Sequence, residues 1–304
     1  MNFAQIEFTF RNGIFPVEKY QKNDFFQYFF TMLRIGILGS GSKGNSLVIS
    51  CNGESLLVDA GFSRKELLRR LELLGFDPGT IRCVLLTHEH SDHICGAPVF
   101  CDTLKIPLCA AGSVLANQKR KKARLPERLW SFEPGEQFAV GAFKVASFSV
   151  QHDAVDPVGF AISCGGVKVG IATDLGEVSP MVRRNLVNSE VLILESNYDV
   201  DMLRNSPRNE SLKNRINGRH GHLDNRAAAA ALQSLLGERS KLLLLAHRSS
   251  ECNTEELVHR EISSELERLC KHELPFAILG QERCTMIQRQ LDGCFDLKEI
   301  AGNG

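Results

Sequence analysis

Val84-Leu85-Leu86-Thr87-His88-Glu89-His90-Ser91-Asp92-His93 decides the fold, because four metal-capable side chains, His88, His90, Asp92 and His93, fall within six residues directly after an apolar run. A short apolar run that breaks into polar residues reads as a buried strand delivering a loop. Loops anchored on rigid strands are where ligands and catalytic groups are carried. Two histidines at i and i+2 can turn toward one ion, while Asp92 and His93 face a second beside it. Imidazole with carboxylate suits zinc, with iron and manganese also compatible, and the ligands bind deprotonated.

The same arrangement, strand then polar residue, recurs along the chain. Leu56-Leu57-Val58 runs into Asp59-Ala60-Gly61, and Asp59 is expected to brace the His88 loop through buried hydrogen bonds rather than to act as a ligand. Ser63, with Glu66 three residues on, forms a capping box ahead of a helix whose buried stripe is Leu67, Leu68, Leu71 and Leu74, stopped by Gly75. Residues 137–150 alternate as two strands and end at His152. Residues 159–162 and 167–172 pair over the turn Gly165-Gly166 and end at Asp174, where a carboxylate could bridge two ions. Residues 191–194 end in Glu195-Ser196-Asn197, and residues 242–246 end in His247. Between them, His220-Gly221-His222-Leu223-Asp224-Asn225 leads into an Ala-rich helix over 226–236.

Arg34 to Ser50 reads as strand, Gly/Ser loop, strand. Gly39, Gly41 and Gly44 satisfy G-x-G-x-x-G, but a dinucleotide site needs the loop to open a helix, and here Ser46 begins another strand. The glycines instead suit a wide hairpin whose backbone comes close to another group, substrate phosphate being one candidate.

Composition sets the outer limits. Of 304 residues, 43% are apolar and 24% charged, which suits a globular chain, and Lys+Arg and Asp+Glu both total 36, so any polyanion footprint must be local. Two local runs qualify: residues 119–128, with six positive charges against one negative, and residues 203–219, with Arg204, Arg208, Lys213, Arg215 and Arg219 against one Glu. Ten scattered Cys without a C-x-x-C pair fit a reduced cytoplasm, and no segment approaches a membrane span of about 20 apolar residues. Residues 1–31 hold 8 of the 18 Phe, and they are expected to form an extension outside the native fold, which would occupy 32–304.

His88-x-His90-x-Asp92-His93 followed by His152, Asp174 and His247 resembles the dinuclear set of the metallo-β-lactamase fold, an α/β four-layer αββα sandwich with its ligands on one edge. The likeness implies that His88, His90 and His152 hold one divalent ion, Zn²⁺ or Mn²⁺, that Asp92, His93 and His247 hold the other, and that Asp174 bridges them. Leu38-Gly39-Ser40-Gly41-Ser42-Lys43-Gly44-Asn45-Ser46, Gly221-His222-Leu223-Asp224-Asn225 and Ala246-His247 resemble the YycJ/WalJ family of bacterial cytosolic metallohydrolases, associated with 5′→3′ exonuclease action on DNA. Asp224 stands where that family usually has Ser, and Arg-Ser-Ser-Glu-Cys-Asn follows His247 where Leu-Ser and paired Asn are more usual.

Asp92, Asp174 and His222 are then the candidate catalytic residues, His222 as proton donor to the leaving alkoxide by analogy with tRNA 3′-processing enzymes of this fold. Arg208, Lys213, Arg215 and the 119–124 run would hold backbone phosphates, with Ser40, Ser42 and Asn45 as further contacts. A glyoxalase-type thioester hydrolase would use the same metals without the basic stretches. An RNA-processing nuclease is the other alternative, although the β-CASP group carries a large insertion that the 47 residues between Asp174 and His222 do not accommodate.

Overall fold

The computed structural model describes residues 33–290 and 292–301, so the expectation for residues 1–31 lies outside the described residues. The chain begins β1 (Arg34–Gly39), β2 (Ser46–Cys51), β3 (Glu54–Val58), α1 (Arg64–Leu73), β4 (Ile81–Leu85), α2 (Ser91–Ile94), α3 (Ala97–Leu104), β5 (Leu108–Ala111), α4 (Gly112–Arg120) and β6 (Leu129–Phe132). It continues β7 (Gln137–Val140), β8 (Phe143–Ser149), β9 (Val158–Cys164), β10 (Val167–Ala172), α5 (Pro180–Leu186), β11 (Val191–Glu195), α6 (Val200–Asn205), α7 (Glu210–Ile216) and α8 (Asn225–Leu235). It ends β12 (Leu242–Ala246), α9 (Glu255–Arg268), β13 (Phe276–Ile278), β14 (Arg283–Arg289) and β15 (Phe295–Ala301).

Two sheets form, ordered β15-β14-β1-β2-β3-β4-β5-β6 and β13-β12-β11-β10-β9-β8-β7. Strands β11 and β12 show why their sequences are unbroken apolar runs. Val191, Ile193, Leu242 and Leu244 enter the core between the sheets, whereas Leu192, Leu194, Leu243 and Leu245 pack outward in the core that includes Val182 of α5, Leu232 of α8 and Ile262 of α9. A strand covered on both faces has no polar side to show. Leu67 of α1, Phe100 of α3 and Val114 of α4 join the core of the first sheet, completing the four-layer αββα order. The sequence-level caps hold. Ser63 accepts the Glu66 N–H, and Asp224 accepts the N–H groups of Arg226 and Ala227, so Asp serves α8 as Ser would.

Strand direction decides where the polar ends meet. β3, β4, β5 and β6 are mutually parallel, as are β10, β11, β12 and β13, and β8 runs with β10 because each is antiparallel to β9. The residues that follow β4, β8, β10, β11 and β12 therefore lie on one rim, and the Val158 N–H donates to the Thr87 carbonyl across the two sheets there (2.8–3.0 Å being usual, 3.0 Å here). The same rule places the 119–124 run elsewhere: β5 and β6 are parallel, so the chain must return to the opposite rim between them. Arg128 O accepts from Leu108 N at the start of β5, and Arg124 pairs with Asp102 at the end of α3. That run, expected to hold backbone phosphates, therefore lies away from the metal rim.

Cys51 and Cys164, which the scattered spacing did not single out, are joined as a disulfide across the two sheets with their Cα atoms 6.5 Å apart. On α1, the buried Arg70 pairs with Glu66, stacks over Phe62 and donates to the Leu38 carbonyl, which fixes the end of β1. Hydrogen bonds from Arg69 and then Arg70 outweigh burial and hold the Glu66 carboxyl at about 2, below its ordinary 4.5. Its contribution to stability is therefore complete above pH 4.5 and lost as the pH falls toward 2. Urea midpoints should fall less on acidification in Glu66→Gln than in the parent; parallel curves would contradict this.

Candidate metal centre

Four of the rim histidines are fixed by an oxygen on one side of the ring. The His152 Nδ1 donates to the Gly221 carbonyl (3.0 Å), the His93 Nδ1 to the Asp59 carboxylate (2.8 Å) and the His247 Nδ1 to Glu195 (2.8 Å). The His88 Nδ1 lies 3.1 Å from the Thr87 hydroxyl, which itself donates to Asp59 at 2.9 Å. In all four, the opposite nitrogen, Nε2, is left facing the site, available to a metal once it carries no proton. This is how proteins set the tautomer and direction of metal-binding imidazoles. Asp59 also accepts the Thr87 N–H at 2.8 Å, so it braces the loop as expected and is not itself placed among the ligand atoms.

The ligand-capable atoms fall into nests whose members lie within 4.8 Å of one another: His88, His90 and His152 in one, and Asp92, His93 and His247 in another. Asp174 stands between them. Its Oδ2 is 3.2 Å from His93 Nε2, and its Oδ1 is 3.9 Å from His152 Nε2 and 3.2 Å from His247 Nδ1. Burial raises the Asp174 pKa, but His247 and His93 outweigh it and hold the carboxyl well below the carboxylate range. Burial, reinforced by His93, keeps His88 well below the imidazole range and hence neutral. His88 Nε2, His247 Nε2 and Asp174 Oδ2 are buried without a hydrogen-bond partner. Orphaned buried polar atoms converging on one space are costly unless something completes them, and imidazole nitrogens beside a carboxylate are a donor set that fits a divalent metal.

Asp59, Asp174 and His247 all have positive φ, between 55° and 58°. Each sits where a strand ends and the chain swings away, a backbone state that non-glycine residues adopt at some cost and that concentrates at functional sites.

One buried carboxylate at the rim went unassigned at the sequence level. Glu195 is fully buried, and its Oε1 accepts from His247 Nδ1 and from His222 Nδ1 (2.9 Å), while Oε2 accepts the N–H groups of Leu175 and Leu223. Burial raises its pKa, but His222 and His247 bring it down to about 2. Glu195 in turn raises the His222 pKa above the usual imidazole value against the opposing effect of burial. The available signal was its context, a carboxylate ending an otherwise apolar strand just as Asp174 follows one.

A cleft of about 240 Å³ opens over these groups, lined by His90, Asp92, His222, Arg208, Arg215 and Ser42 among others. Arg208 is paired with Glu251 and Arg215 with Asp153, so two cations stand at its edge. Three of the expected substrate contacts are placed otherwise. Lys213 turns to the Arg204 carbonyl and Glu210, outside the cleft lining. The buried Ser40 hydroxyl accepts the His247 N–H at 2.7 Å, and buried Asn45 faces Asp92 and His93. The glycine loop does approach a neighbour closely, the loop that carries Asp92 and His93. His259 and His272 are exposed, as expected of surface residues.

Residues 54–247 match the family model described as a beta-lactamase superfamily domain. Over 236 residues the chain is 33% identical to exodeoxyribonuclease YycJ of Bacillus anthracis, covering 77% of this chain and 89% of that protein. It is 34% identical over 236 residues to exodeoxyribonuclease WalJ of Streptococcus pneumoniae, covering 77% and 88%. A ribonuclease Z of Bradyrhizobium matches a shorter stretch, 30% over 129 residues, or 38% of this chain and 42% of that one. The fold is shared with the metallo-β-lactamase fold protein YhfI of Bacillus subtilis (TM-score 0.63, 15% identity, 88% and 100% covered). Matching fold, matching family model and a similarity that spans most of each curated relative agree: the chain belongs to the YycJ/WalJ family of metallo-β-lactamase-fold hydrolases.

Proposed function

We propose that this hydrolase is a phosphodiesterase that removes nucleotides from 5′ ends of DNA, using two divalent ions, Zn²⁺ or Mn²⁺. The observation that carries the reading is the pair of nests joined by Asp174, with the His222–Glu195 pair and two arginines around the same cleft. His88, His90 and His152 would hold one ion, Asp92, His93 and His247 the other, with Asp174 shared. Such ions supply Lewis acidity that activates water at neutral pH and stabilises developing charge on phosphoryl oxygens.

The chain's own groups do the rest. Arg208 and Arg215 exchange their carboxylate partners for backbone phosphates, where a guanidinium gains bidentate contacts. His222, held protonated by Glu195, donates to the departing sugar oxygen, and Glu195 keeps its ring aimed there. The names of the YycJ and WalJ relatives support DNA. A thioester substrate would leave both arginines without a role, and the partial ribonuclease Z likeness keeps RNA as an arm of the test.

Single strands of DNA and RNA labelled at either end, and a small thioester, should be incubated with the protein and Mn²⁺ or Zn²⁺. Mononucleotide release from DNA 5′ ends is expected. Internal RNA cleavage would move the reading to RNA processing, and thioester turnover alone would overturn it. With DNA, Arg215→Ala should raise KM about tenfold and flatten its salt dependence, because a phosphate contact is lost.

A further inference from the structure

The two nests do not have the same support. Every member of the Asp92, His93 and His247 nest is gripped by the glycine loop that follows β1. Asn45 Nδ2 lies 3.2 Å from Asp92 Oδ2 and 3.0 Å from His93 Nε2, and its Oδ1 is fixed by the Gly41 N–H at 2.8 Å. The Asn45 N–H donates to the Asp92 carbonyl at 2.8 Å, and Ser40 Oγ holds the backbone of His247. Glycine is required for this approach: a Cβ on Gly61 would sit 1.7 Å from the Asp92 carbonyl, and one on Gly44 2.6 Å from the Gly61 carbonyl. The His88, His90 and His152 nest relies instead on Thr87 and the Gly221 carbonyl.

We infer that the glycine loop is the element that sets affinity at the second nest alone, with Asn45 as its positioning residue. The Asn45 amide donates to the Asp92 carboxylate and lies against the His93 Nε2 edge, so one side chain holds both groups in place. These bonds to Asp92 would keep that carboxylate aimed for an ion held there by His93 and His247. Preorganisation of this kind is what outer partners contribute to metal sites, and their loss costs about 10- to 100-fold in metal affinity.

This inference rests on the dinuclear reading, and the test separates the two. Metal titration by calorimetry and elemental analysis would be run on the full chain, with Zn²⁺ and Mn²⁺ alone as probes, for the parent, Asn45→Ala, Ser40→Ala and His90→Ala. The parent should bind two ions. Asn45→Ala should keep one at parental affinity and bind the second about 10- to 100-fold more weakly, with Ser40→Ala shifted in the same direction. His90→Ala should show the reverse, losing the first nest's ion and keeping the second. If Asn45→Ala does not fold, as judged by circular dichroism, Ser40→Ala carries the same comparison. Two ions in the parent with unchanged affinities in both loop variants, or equal weakening of both ions, would overturn the inference and leave the dinuclear reading standing. Fewer than two ions in the parent would overturn both.

Discussion

Asp174→Asn is expected to fold like the parent, to lose bound metal and to hydrolyse phosphodiesters more than about 10³-fold more slowly, beyond the roughly 10²–10³ that follows loss of one charge-stabilising donor. Among the described residues, Asp174 is the carboxylate placed to face both nests, 3.2 Å from His93 and 3.9 Å from His152, so removing its charge should weaken both at once. Asn is the informative replacement. The residue has a φ of 56°, a conformation that Asn tolerates and Ala resists, so Asp174→Ala mixes a backbone penalty of about 1–2 kcal/mol with the loss of charge. Melting temperature, metal content and rate, measured on both variants, separate the two effects. An Asn variant with two ions and near-parental kcat would remove Asp174 from the chemistry.

Much of this centre was legible in the sequence because its parts obey a local rule. A strand buried on both faces must be apolar throughout, so the polar residues after it mark the rim; His88, Asp174 and His247 appear at that transition, while His152 follows the half-exposed, alternating β8. What local rules do not carry is which side of a loop faces inward. Ser40 and Asn45 sit in a Gly-rich segment that reads as a phosphate loop, yet the parallel course of β1 with β3 and β4 brings that segment against the ligand loop, and both side chains are spent there. Charge counting reveals the basic run at residues 119–124 but not where it lies, because the return of the chain to the far rim depends on the pairing of β5 with β6. Glu195 was passed over because a lone Glu at a strand end differs from its many surface counterparts only in its partners, two histidines 27 and 52 residues away.

His222→Ala and Glu195→Gln should divide the remaining chemistry. Loss of His222 should lower kcat on DNA by about 10²–10⁴, the usual worth of a general acid, with two ions still bound. A thymidine 5′-phosphodiester with a p-nitrophenolate leaving group needs no proton on departure, so on that substrate the same variant should approach the parental rate. Glu195→Gln removes the anion that keeps His222 charged. The sign follows from the raised His222 pKa: the parent retains its acid as pH rises past the ordinary imidazole value, and the variant should lose activity at lower pH. Because the same carboxylate orients His247, Glu195→Gln should also weaken metal binding, which His222→Ala should not. If the good leaving group fails to rescue His222→Ala while its metal content is intact, His222 serves the cleft's shape, and the proton must come from another group.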